Sequence, residues 1–240
     1  IRFINTSEDV VLTYAPGTIT WTPYLIVPIS QDIFLVIGEG PFQANADGSQ
    51  LYFKYVTLNN RAWTVASAVD CAGGDFPSRL VDSYAFDAAG TLYFAATESS
   101  VVLLDSDQSG SAVGLITSAD VVKTGGPVLS EIVRYHNFMI SAICAINGTI
   151  YILGAQVDLV GGATRFRNQI RQFPNTVVWE QDYYLTTTRP RGTIKAFTQD
   201  SRSEAFFIVR SSLNDYDSIM RLTDGGVVEE VGSLQPAALT

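Results

Sequence analysis

Along nearly the whole 240-residue chain, apolar and polar positions alternate with a period of two. The apolar positions are rich in Val, Ile, Tyr and Phe, which fits buried or half-buried β-strands, and helical spacing is almost absent. Clusters of Gly, Asn, Asp and Ser interrupt the alternation at short intervals. These residues accept positive φ or turn the backbone, and they close hairpins. One stretch, AGTLYFAA at 89–96, returns nearly letter for letter as NGTIYILG at 147–154.

The recurrence is wider than those two copies. A strand, a short turn and a second apolar strand occur in YLIVPISQDIFLVIG (24–38), SYAFDAAGTLYFAAT (83–97), SAICAINGTIYILGA (141–155) and IKAFTQDSRSEAFFIVR (194–210). The second strands begin near 31, 90, 148 and 203, a spacing of 55 to 59 residues. Another hairpin follows each: LYFKYVTLNNRAWTVASAV (51–69), VVLLDSDQSGSAVGLIT (101–117), QIRQFPNTVVWEQ (169–181) and SIMRLTDGGVVEEV (218–231). A period of this length marks one supersecondary unit built several times.

Four-stranded units of this size, each a meander of two hairpins, resemble the blades of a β-propeller. The resemblance is to an architecture; no WD, kelch, Asp-box or hemopexin signature names a family. The expected fold is all-β, a β-propeller-like array of four-stranded antiparallel blades, in a single domain over 1–240. Its blades fall at 20–69, 82–117, 140–182 and 193–231. The alternative is a β-sandwich with the same alternation. Residues 1–14 match the second hairpin of a unit, so they are expected to form an outer half blade. Their inner partners would come from outside residues 15–240, because GSLQPAALT (232–240) cannot supply them. The middle of each second strand is expected to be core: Phe34, Leu92, Phe94, Ile150, Ile152, Phe206 and Ile208.

Meander connectivity puts hairpin turns at one end of each blade and the remaining connections at the other. The long stretches 38–50, 70–82, 118–139, 156–168 and 183–192 are read as such connections, crowding one rim. Long loops on a rigid scaffold are where binding residues concentrate.

Composition narrows the function classes. Charged residues make up only 16% of the chain, with 15 Lys/Arg against 24 Asp/Glu and a formal charge of −9. An acidic chain repels phosphate backbones, so nucleic acid is not expected as a partner. The longest apolar runs are too short to span a bilayer. The low charge suits an extracellular or virion protein, or a subunit covered in an assembly. The start, IRFINTSED, carries no Met and no leader pattern, and reads as a processed or excised piece. Cys71 and Cys144 are the only cysteines. Without a CxxC pair or a Cys/His cluster no metal site is expected, and no cofactor motif appears. Cys144, inside SAICAI, reads as a buried thiol. Whether it bonds to Cys71 is a matter of geometry alone.

The candidate site residues are few. Arg165 and Arg167 (TRFR) and Arg189 and Arg191 (TRPR) fall in neighbouring connections of an otherwise acidic chain. Planar guanidiniums suit carboxylates, on an acidic glycan or a protein surface; bridges to Asp182 and Glu180 are the structural alternative. His136, the only histidine, stands beside Tyr135 and Arg134 in the longest connection, with no GxSxG motif to make a serine triad. Glu39, Asp75, Asp82, Asp120 and Asp158 are the carboxylates that a glycosidase would draw on. Trp63 and Trp179 fall in fourth strands and are expected between blades. Asn5 and Asn147 match the glycosylation sequon, Asn147 within a tight turn.

With no catalytic constellation in view, the expected role is a non-catalytic binding or assembly module, such as a virion or tail component or an extracellular adhesin. Its partners would be other protein chains, the remainder of a larger protein, or an acidic glycan. A carbohydrate-active enzyme using rim carboxylates and an intracellular interaction scaffold are the alternatives.

Overall fold

The computed structural model describes residues 2–4, 10–13, 22–30, 33–39, 51–57, 63–69, 79–97, 109–121, 129–161, 163–184, 197–199, 204–210 and 217–234. Eighteen strands among them form four four-stranded sheets and one two-stranded sheet, and every pairing is antiparallel between sequence neighbours. The first blade comprises β3 (Thr22–Pro28), β4 (Ile33–Glu39), β5 (Leu51–Thr57) and β6 (Trp63–Val69). The second comprises β7 (Arg79–Phe86), β8 (Leu92–Thr97), β9 (Ser109–Ile116) and β10 (Glu131–His136). The third holds β11 (Phe138–Ile146), β12 (Thr149–Val160), β13 (Ala163–Gln172) and β14 (Thr176–Tyr184). The fourth holds β15 (Phe197–Gln199), β16 (Ala205–Arg210), β17 (Asp217–Leu222) and β18 (Val228–Leu234). Ahead of them, β1 (Arg2–Ile4) and β2 (Val10–Thr13) pair with each other as a separate hairpin.

The blades stack in chain order, and three apolar clusters hold the stack. Leu25, Val27, Leu35 and Ile37 of the first blade meet Leu80, Leu92, Phe94 and Ile116 of the second. The opposite face of the second blade, with Tyr93, Val113 and Tyr135, meets Phe138, Ile140, Ile143 and Ile152 of the third. The far face of the third, with Cys144, Tyr151, Leu153 and Ile170, meets Ala205, Phe207 and Leu222 of the fourth. Adjacent residues of one strand therefore serve two different interfaces, which is why the second strands read as continuous apolar runs. The first strands β3, β7 and β11 run side by side, with β7 in the middle. Meander blades packed face to face with their first strands adjacent are the arrangement of a β-propeller.

The repeated turns show how the sequence sets the strand pairing. Between β11 and β12, Asn147 (φ 48°) and Gly148 (φ 80°) both take positive φ. That is the two-residue turn whose twist matches a right-twisted hairpin. Between β7 and β8, the Asp87 carboxylate accepts from the amides of Ala89 (2.9 Å) and Thr91 (2.8 Å) and from the Tyr93 hydroxyl (3.1 Å). The two turns touch: a β-carbon on Gly148 would stand 2.7 Å from that of Ala88. Glycine there serves the blade spacing as well as the turn.

Three expectations are corrected. The second blade does not end at 117. Its third strand is Ser109–Ile116 and its fourth is Glu131–His136, because EIVRYH alternates and buries Tyr135 to 3% exposure; residues 101–108 lie outside the described residues. Next, 156–168 is not a long connection. β12 runs on to Val160, β13 starts at Ala163, and the polar side chains between pair across the hairpin. Finally, Leu92, Phe94, Ile150 and Ile152 are buried, whereas Phe34, Phe206 and Ile208 are only half-buried. These three lie in the first and fourth blades on the faces turned away from the stack.

Candidate functional site

The connections sort onto the two ends of the blades differently from the sequence reading. Thr117–Ser130 joins β9 to β10 at the same end as the β7–β8 turn, since Leu92 pairs with Ile116 and Gly90 faces Ser118. The short helix α1 (Ser118–Val121) sits in that connection, where Asp120 and Thr117 share a side-chain hydrogen bond of 2.8 Å. The opposite end, the rim, carries the β12–β13 tip at 161–162 and the link between the second and third blades. That link is a single residue, Asn137 (φ 51°), whose carbonyl accepts from Val157 N at 2.7 Å. The stretch 118–139 therefore does not share a rim with 156–168.

On the rim side the third blade outgrows its neighbours. Phe138, the first residue of β11, pairs with Gln156, yet β12 continues four residues further and β13 and β14 follow it. At the base of this extension lies a closed circuit of side chains, all on the face turned toward the second blade. Arg167 donates to Asp158 through Nε (2.8 Å) and Nη2 (2.6 Å), and to Glu180 through Nη1 (3.1 Å). Glu180 accepts from Gln169 Nε2 (2.8 Å), and Gln169 Oε1 accepts from Arg171 Nε (3.0 Å) and Nη2 (2.6 Å). Arg171 Nη2 also donates to Gln156 Oε1 (2.7 Å), and Gln156 Nε2 returns to Asp158 at 3.3 Å.

Two guanidiniums and two carboxylates make the ring neutral. Side-chain period two builds it: 156 and 158 on β12, 167, 169 and 171 on β13, and 180 on β14 point the same way. Hydrogen bonding to Asp158 holds the Arg167 guanidinium still further above its ordinary pKa. Arg171 is buried, and burial lowers its pKa. Its fourth hydrogen bond goes to Asn175 Oδ1 (2.6 Å), and its guanidinium carbon lies 4.0 Å over the Phe138 ring.

Each sequence-derived candidate now has a place. Arg167 belongs to the circuit. Arg165 lies on β13 opposite Asp158 and Tyr184 in the rim extension. Arg189 and Arg191 lie outside the described residues, as do Asp75, Trp21 and Cys71. His136 is the exposed last residue of β10, at the rim. Tyr135 does not stand beside it on the rim: its ring lies between blades and its hydroxyl donates to the Pro174 carbonyl. Burial raises its pKa. The carboxylates do not assemble as a pair: Asp120 is at the turn end and Asp158 near the rim, while Asp82 is an exposed residue of β7. Trp179 packs edge-on against Phe207 of the next blade, as expected. Cys144 is a free, buried thiol whose pKa burial raises to about 12. Asn147 donates to Asp224 across to the fourth blade at 2.8 Å. The sequence reading missed Gln156, Gln169 and Arg171; the signal was polar residues at alternate positions on facing strands. Among the described residues no helix is long and apolar enough to cross a membrane.

No family model matches the chain, and no curated protein does. Solved structures with some likeness include the Trypanosoma rangeli sialidase in complex with the inhibitor DANA, at 14% identity and a TM-score of 0.48, over 96% of this chain and 40% of that one. Another is Zg3597, a family 117 glycoside hydrolase from the marine bacterium Zobellia galactanivorans, at 12% identity and 0.46, over 99% and 75%. A third is the WD40 β-propeller domain of Doa1, at 8% identity and 0.38, over 90% and 69%. The chain spans two-fifths of the sialidase's length. These scores carry no functional inference.

Proposed function

We propose that the chain is a non-catalytic binding or assembly module that engages a carboxylate-bearing partner through the rim. The contact would be made by the β12–β13 tip and the segment 185–196. The observation that supports this is the closed circuit beneath the tip. It commits Asp158 and Glu180 to Arg167 and Gln169, and it braces three strands where they outrun the blade. A braced projection presents a fixed surface, and satisfied networks rigidify. Arg165, Arg189 and Arg191 would supply the planar forks for carboxylates, with His136 at the margin and Arg167 holding the hairpin. Such a module suits an extracellular or virion setting.

A binding panel of immobilised sialylated, uronate-bearing and neutral glycans, together with acidic peptides, tests the reading. Binding should favour the carboxylated probes, fall with added salt, and weaken in Arg→Lys variants at 165, 189 and 191, which keep charge but lose the fork. Equal binding by the triple Ala variant would remove these residues from the site. Turnover of any glycan, lost on replacing Asp158 or Glu180, would hand the rim to the carbohydrate-active alternative.

A further inference from the structure

Three blade interfaces are built alike, and the two ends of the stack are left with the same kind of face. In the first blade, Leu25 and Val27 of β3 are buried against the second blade, while Tyr24 and Ile26, pointing the other way, are 51% and 39% exposed. Pro28 continues this exposed row. In the fourth blade, Phe207 and Val209 of β16 are buried against the third, while Phe206 and Ile208, pointing away, are only half-covered. Ile219, paired with Ile208, extends that outer face across β17. In the middle of the stack, both faces of the corresponding strands are buried, as Leu92–Ala96 and Ile150–Leu153 show.

A face of this construction is covered three times over in the molecule, each time by the opposite face of another blade at the same height. We propose that the exposed β3 face is an interface for a second copy of this chain, which seats on it the outward face of its fourth blade. The contact is heterologous: Tyr24 and Ile26 of one copy meet Phe206 and Ile208 of the next. Such contacts either close into a ring or propagate. The occupant is argued from continuity. The fourth blade's outer face is the matching half of the stacking interface, and the chain carries both halves at once. Rows of exposed aromatic and aliphatic side chains on strands are a liability unless covered.

The test uses the whole chain. Sedimentation velocity at about 50 µM, a concentration that detects even modest contacts, should give particles of two or more chains. Ile26→Glu and Ile208→Glu, each checked for an unchanged circular-dichroism spectrum, should each be monomeric, with association at least tenfold weaker. Mixed together, they should form a one-to-one pair, because each retains the half that the other has lost. Should Ile208→Glu fold poorly, Tyr24→Glu on the exposed face replaces the Ile26 variant and Phe206→Ser replaces the other. A monomeric parent chain at that concentration assigns the face to another occupant and overturns the proposal. So does oligomerisation that survives both substitutions, or a mixture of folded variants that stays monomeric.

Discussion

The two faces of the third blade are made by the same three strands, yet they treat polar side chains in opposite ways. Toward the second blade, Arg167, Gln169 and Arg171 alternate on β13 and close a circuit with Gln156, Asp158 and Glu180. Toward the fourth blade, Asn168 is fully buried, and neither its Nδ2 nor its Oδ1 meets a partner. Gln181, directly across on β14, leaves its Oε1 unmatched as well. A buried polar group without a hydrogen bond costs about 1–3 kcal/mol, whereas a satisfied network contributes rigidity. The first face is specified by its polar groups. The second is held by apolar packing around them.

The comparison can be probed from the strongest expected effect to the weakest. Ile152 and Leu153 lie at the apolar centre of opposite faces, each 0% exposed. Truncating either to Ala should cost a similar ~2–5 kcal/mol by denaturant melt. A loss below half that range on one side only would show that one interface is loosely packed. Arg171→Met keeps volume but strips three buried amide oxygens of their donor, so a loss on the order of 3 kcal/mol is expected. A neutral result would mean that the circuit is ornamental to stability. Asn168→Leu should be neutral or raise stability by about 1 kcal/mol, because it removes the unsatisfied amide. Clear destabilisation would place a hydrogen-bonding partner there. The smallest effect is alkaline. Cys144 on the fourth-blade side has its pKa raised by burial from an ordinary 9.0 to about 12. The folded state therefore holds that proton more tightly than the unfolded one. The resulting stabilisation is complete below pH 9 and drains away as pH climbs toward 12. Melting temperatures of the parent and of Cys144→Ala should converge across that window.

Much of this was legible in the sequence. The repeated GT turn with its Tyr-centred strand located β8 and β12 within about two residues, because positive φ and alternation are local properties. The insertion between β9 and β10 was not legible. VVLLD and EIVRYH are equally good strands by pattern, and only the burial of Tyr135 against Phe138 and Arg171 decides between them. The rim was misjudged for a related reason. Gln156, Asp158, Arg165 and Arg167 look like loop residues when charge is taken as exposure, yet opposite polar residues on facing strands satisfy each other. The half-burial of Phe206 and Ile208 was equally hidden, since a strand's own residues do not announce whether a neighbour blade stands beside it.

The single-residue link at Asn137 has a mechanical meaning. One residue between two strands gives a reach of only about 3.5 Å, so the second and third blades have almost no slack between them. A pulling force applied at the chain ends would meet this pair as one inextensible body, clamped further by Val157 N on the Asn137 carbonyl and by the Tyr135–Pro174 contact. The first and fourth blades would peel away separately, and the middle pair should yield last, in a single large extension. Under tension the molecule is three bodies, although its sheets number four.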